Sequence, residues 1–286
     1  MKEHLLYLLL SVTLSAGRNI ISKKTAIAAN DTAQFFLSQS VLFGAAALLF
    51  ITVDSKTLAA LSMITFLFGI VYGVLLILSQ WMLTIALKSG NTSVCTVIYS
   101  LGFILPTISG VLFWDEPFTV LNLIGICIAI AVILLTVQRR DREEHRKKTF
   151  IPFILIAMTA SGGLGIMQKG QQSTHAANEK GAFLLIAFVF AFCTSGIAFL
   201  LCRQRKRLTG ATVFFPAVTG VCFGGANLCN TILAGKMKSA VFFPLQNIST
   251  ILLSTFLGIL IFKEKLTPKT VTVLILGTAV VVLFSI

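Results

Sequence analysis

The chain has 286 residues, 56% of them hydrophobic and 12% charged, with a mean hydropathy of +0.94. That balance excludes an ordinary soluble domain, which needs far more polar surface. A net charge of +13 would point to nucleic acid in a soluble protein, but here the cations sit in short loops beside apolar runs, where they fix membrane orientation. The lipid bilayer is the expected partner, and nucleic acid is not.

Ten apolar runs follow one another, at about 4–22, 33–53, 61–87, 92–113, 119–137, 150–169, 181–202, 211–234, 240–262 and 269–286. A helix needs about 20 residues to cross a hydrocarbon core about 30 Å thick, so each run is read as a span; the longest, 61–87, implies tilt. Uninterrupted apolarity predicts helices, since barrel strands alternate with a period of two. The first run lacks a small-residue cleavage site and is read as a span, not a signal.

Polar side chains inside these runs cost free energy against lipid and should turn to the bundle interior or a wet cavity. In the first run Ser11, Ser15, Arg18 and Ser22 share a helix face, with Asn19 beside them. The third aligns Gly69, Gly73, Gln80 and Thr84, next to Trp81; the fourth aligns Thr92, Thr96 and Tyr99 ahead of Pro106. The interval Gln138–Thr149 is a charged linker. Beyond it, the sixth run carries Ser161, Gly165, Gln168 and Gln172. The eighth carries Gly220, Gly224, Asn227 and Thr231 with Asn230, and the ninth carries Gln246, Asn247, Thr250 and Ser254 after Pro244. Glycines four apart favour close helix packing, Ser and Thr can bond their own backbone, and the prolines should kink or unwind their helices.

The two halves, 1–137 and 150–286, match internally. Ser15, Gly17, Ile20 and Lys23 recur as Ser161, Gly163, Ile166 and Lys169 at an offset of 146. Gly110, Glu116 and Thr119 recur as Gly258, Glu264 and Thr267 at 148, as do Ala86 and Lys88 in Ala234 and Lys236. Gly69 and Gly73 have counterparts in Gly220 and Gly224, whereas the second and seventh runs show no clean match. A duplicated unit with an odd number of crossings places its copies upside down to each other. The expected fold is therefore all-α and integral to the membrane, ten transmembrane helices as two inverted five-helix repeats, a recurring design of secondary transporters.

On these motifs, Gly-x5-Glu followed by Thr and the Ala-x-Lys entry to runs four and nine, the chain resembles the EamA-type transporters of the drug/metabolite transporter superfamily. The resemblance implies an inner-membrane carrier of small metabolites with one central cavity built by both halves. Many such proteins have cytoplasmic termini. This chain's own charges argue otherwise: six Lys and Arg flank the spans on the N-terminal side and sixteen on the other, which predicts both termini outside.

The expected function is alternating-access transport of a small organic metabolite, amino-acid-like or otherwise anionic or zwitterionic. Arg18, Asn19, Gln80, Trp81, Tyr99, Asn227, Asn230, Gln246 and Asn247 are the candidate contacts. Arg18 either snorkels toward the interface near Lys23, pairs structurally, or recognises an anionic or zwitterionic cargo from a cavity; its counterpart in the second half is Leu164. All ten acids lie at run ends or in loops, which weakens cationic drugs as cargo, and Glu116 and Glu264 are expected to cap or pin helix ends. The six cysteines form no CxxC pair or Cys/His cluster and are read as packing residues. No metal, cofactor or catalytic constellation is implied. A lipid-head-group flippase and an integral-membrane enzyme acting on lipid-linked groups are the rival readings, and the oligomeric state stays open.

Overall fold

The computed structural model describes residues 2–25, 32–53, 61–90, 92–135, 150–202, 210–262 and 267–284. The charged linker 138–149 and Glu264 lie outside the described residues, as do the side chains of Ser22, Lys23 and Thr92. Among the described residues all regular structure is helical: α1 Lys2–Thr25, α2 Thr32–Val53, α3 Met63–Ser89, α4 Thr92–Ser100, α5 Ile104–Trp114, α6 Val120–Leu135, α7 Phe150–Gln172, α8 Lys180–Leu201, α9 Gly210–Lys236, α10 Ser239–Phe262 and α11 Pro268–Leu283.

Among the described residues, eight spans are long and apolar enough to cross a membrane, with α4 and α5 together forming the fourth. The fifth run of each half, read as a span from sequence, is a shorter apolar helix: α6 and α11 have 16 residues each, about 24 Å at 1.5 Å per residue. Phe113 (71% exposed), Val120 (74%) and Leu201 (78%) stand outward. So much exposed aliphatic and aromatic surface is untenable in water and suits lipid.

The chain folds into two compact units, and each draws helices from both halves of the sequence. Unit one holds residues 1–74 and 170–235; unit two holds 75–169 and 236–286. In unit one, α2 packs along α8. The Phe188 ring stacks on Phe50 at 5.7 Å and meets Phe43 at 6.3 Å and the edge of Phe223 at 5.8 Å. Both copies of the paired-glycine motif do the same work here. A Cβ at Gly69 would lie 2.9 Å from Ile186, and one at Gly73 2.8 Å from the Ala187 carbonyl, so these glycines seat α3 on α8. Gly220 and Gly224 seat α9 on α2, against the Leu42 carbonyl and Ala46. Exchanging the sequence halves maps one contact onto the other.

In unit two, α7 lies close on the α4–α5 region, with Gly162 facing the Gly102 carbonyl and Gly165 facing Pro106. The expected interruption at Pro106 is a 3-10 turn at Leu101–Phe103. Proline supplies no N–H to the Gly102 carbonyl four residues back. The Ile104 N–H bonds to the Leu101 and Gly102 carbonyls, and the Ser100 carbonyl accepts from Asn247 Nδ2 at 3.1 Å. Thr119 Oγ1 accepts from the Asn122 N–H at 3.2 Å at the start of α6, and Thr267 Oγ1 accepts from the Thr270 N–H at 3.3 Å at the start of α11. The two threonines matched in sequence are thus both N-caps.

Candidate functional site

Polar side chains gather inside each unit, and in unit one the centre is α9. Asn227 is buried. Its Nδ2 donates to the Phe223 carbonyl at 2.8 Å, and its Oδ1 accepts from the Tyr72 hydroxyl at 2.5 Å. One turn on, Asn230 Oδ1 accepts from Ser11 Oγ at 2.5 Å, tying α9 to α1. Arg18, also on α1, lays its guanidinium over the Phe223 ring with its central carbon 4.0 Å from the centroid. A guanidinium stacked on an aromatic face is stabilised by the ring's quadrupole. Arg18, Asn227 and Asn230 therefore lie close together, α1 meeting α9 through Phe223 and Ser11. Asn19, on the same helix, is exposed.

In unit two, Gln80 Nε2 donates to the Tyr99 hydroxyl at 3.3 Å, joining α3 to α4. Tyr99 also packs beside Ala86, Cys95, Ile154 and Ala157. Asn247 is committed to the Ser100 carbonyl, so its amide supports the 3-10 turn beside Tyr99. Gln246 is half-buried and Trp81 is 40% exposed. The hydroxyls follow the structural expectation: Thr84, Thr107, Thr219 and Thr231 each bond the carbonyl four residues back. Among the described cysteines, Cys95 and Cys229 are buried packing residues and Cys127 and Cys193 are exposed.

Tyr72 and Lys169 escaped the sequence reading, as did the partners of Glu116. Tyr72 is 1% exposed and reaches Asn227 from α3; a lone tyrosine in an apolar run announces itself only as bulk. Glu116 and Lys169 form an ion pair at 2.6 Å with 10% side-chain exposure each. Glu116 Oε2 also accepts from the Ser239 N–H at 2.6 Å, at the start of α10. Glu116 does cap a helix, but that helix is α10 and not the α6 that follows it in sequence. The available signal was a lysine in the last turn of an apolar helix, which has to find an anion or water.

An open apolar groove along α11, lined by Leu274, Ile275, Thr278, Ala279 and Val282, lies apart from these residues. Its one hydroxyl, on Thr278, is bonded to the Leu274 carbonyl. Among the described residues no three His, Cys, Asp or Glu side chains gather into a metal-binding group.

A family model described as "Sugar transport protein" matches residues 39–286. No curated protein matches the chain. Twenty-nine chains of solved structures do match. One crystal structure among them, described only as that of a protein, shares 12% identity and superposes with a TM-score of 0.78, over 99% of this chain and 96% of its own. At that identity the likeness is one of fold.

Proposed function

This chain belongs to the sugar transport protein family, and from that premise we propose that it is a secondary carrier of a small hydroxylated metabolite, working by alternating access. The observation that carries the reading is the makeup of the polar groups within the spans. Tyr72 with Asn227, Ser11 with Asn230 and Gln80 with Tyr99 are neutral amide–hydroxyl pairs, two of them made by a tyrosine. Such groups both donate and accept, so they can exchange bonds with a sugar's hydroxyls without leaving a charge unpaired. The fold is read as ten spans in two inverted five-helix repeats of the EamA type. The paired glycines and matched N-cap threonines support duplication, and inversion follows from an odd number of crossings per copy. The loop charges favour an orientation with both termini outside the cytoplasmic membrane.

Arg18 favours a second form of the same reading, in which the cargo carries a carboxylate. Its guanidinium is held on Phe223 within one turn of Asn227. Uptake into proteoliposomes, measured for neutral sugars and for sugar acids, separates the two. If the cargo is acidic, Arg18→Gln lowers its uptake at least tenfold, the loss of one charge-assisted contact, while leaving neutral sugars within twofold. Equal effects on both would remove the carboxylate form, and no saturable uptake of either would remove the hydroxylated-metabolite reading.

A further inference from the structure

The Glu116–Lys169 pair is usually the kind of feature dismissed as a structural salt bridge, but its placement is specific. Lys169 Nζ donates to the Met237 carbonyl at 3.2 Å, immediately past the end of α9. Glu116 Oε2 accepts the Ser239 N–H, the first of α10, and Oε1 faces Lys169 Nζ at 2.6 Å. The cation therefore sits at a helix C-terminus and the anion at the next helix's N-terminus. These are the ends whose unsatisfied carbonyls and N–H groups carry the partial charges that each complements. The ion pair spans the tight α9–α10 corner as a double cap with a defined polarity.

The surroundings are shaped for this arrangement. Asp115 takes a left-handed backbone, φ 49° and ψ 33°, which turns the chain sharply after α5, and the Glu116 N–H bonds the Gly110 carbonyl at 3.2 Å. Gly110 leaves the space that the carboxylate fills: a Cβ there would press on Glu116 Oε2 and lie 2.5 Å from Ser239 Cβ. That is a physical account of the Gly-x5-Glu spacing. The turn opens α10, which bears Gln246 and Asn247 about two turns on. Lys236 and Lys238 on the corner itself are exposed, and the buried Lys169 from α7 makes the carbonyl contact.

We propose that Glu116 and Lys169 are positioning residues for transport, a polar double cap that fixes the turn at 236–239 and so the start of α10, the helix carrying the candidate cargo contacts Gln246 and Asn247. The proposal rests on the carrier reading for its consequence in transport, though not for the geometry of the corner.

The test uses the full-length protein with spin labels at Phe118→Cys and Lys238→Cys, both exposed, on a background lacking native cysteines. The distance distribution between labels reports the corner without reference to cargo. Glu116→Gln and Lys169→Gln are expected to broaden it, and Lys169→Arg to keep it narrow. The charge-swapped Glu116→Lys/Lys169→Glu protein keeps an ion pair but sets each charge against the wrong helix end, so it too should be broad. In proteoliposomes the broadened variants should lose at least tenfold in Vmax with KM within twofold. A charge swap as narrow as the parent, or single variants that stay narrow, would overturn the double cap. Broadening with unchanged Vmax would overturn the role in transport. If the parent itself moves no cargo, the carrier reading fails while the label distances still decide the corner.

Discussion

Lys169→Met is expected to lower the unfolding free energy by about 3–5 kcal/mol, the cost of removing one partner from a buried pair and leaving the other uncompensated. The stranded group is the Glu116 carboxylate, 10% exposed in its side chain and bonded otherwise to the Ser239 N–H. Replacing both partners, with Glu116→Gln in the same chain, should recover most of the loss, because no buried charge then remains. That recovery would not restore the cap on the Met237 carbonyl, so stability and corner geometry are expected to part company in the double variant. Equilibrium unfolding in mixed detergent reads the free energies. A loss below about 1 kcal/mol for Lys169→Met would mean that water reaches the carboxylate and that the pair behaves as a surface one.

Gly220→Ala is the second large effect. The added Cβ would meet the Leu42 carbonyl and lie 3.0 Å from Ala45, backbone and methyl that have no flexible end to yield. Either α9 moves off α2 or the contact is strained, and overpacking of this kind costs about 1–3 kcal/mol; a backbone collision puts Gly220 at the upper end. Gly17→Ala is its control, since a Cβ there meets nothing within 4 Å. Alanine's better helix propensity should leave that variant neutral or more stable by up to about 1 kcal/mol. Thermal midpoints of the two variants, measured side by side in one detergent, should move in opposite directions. Equal shifts would show that the paired glycines do not seat the helices.

Much of this architecture was legible because lipid enforces it. A backbone in hydrocarbon must satisfy its own hydrogen bonds, so each long apolar run between charged loops has to be a helix, and the helix limits fall within a few residues of the runs. The break near Pro106 follows from local chemistry that the sequence states openly, whereas Thr119 and Thr267 stood in the sequence only as repeat matches and are N-caps in the structure. Polar spacing along α1 and along α9 gave the faces that carry Arg18 and Asn227, since one helical face is a local property, but not the approach of the two helices.

What escaped was long-range. Glu116 and Lys169 are separated by 53 positions, and nothing in either run names the other as partner. Asn247 stands out as a candidate cargo contact because an amide in an apolar helix is costly, but nothing in its run tells that its Nδ2 meets the Ser100 carbonyl beside the 3-10 turn. The division into units was hidden for a similar reason. Duplication is written along the chain, whereas packing mixes the copies, so that α2 lies on α8 and α9 on α2.

Counterflow is the most direct test of the carrier reading. Proteoliposomes preloaded with a high concentration of unlabelled sugar or sugar acid are diluted into trace labelled compound, and internal label is followed over time. A carrier whose site opens alternately to the two sides exchanges one molecule for another, so label should rise transiently above its external concentration and then decay. Label that only approaches equilibrium, with and without preloading alike, would contradict alternating access, and chemical conversion of the labelled compound would move the protein out of the transporter class.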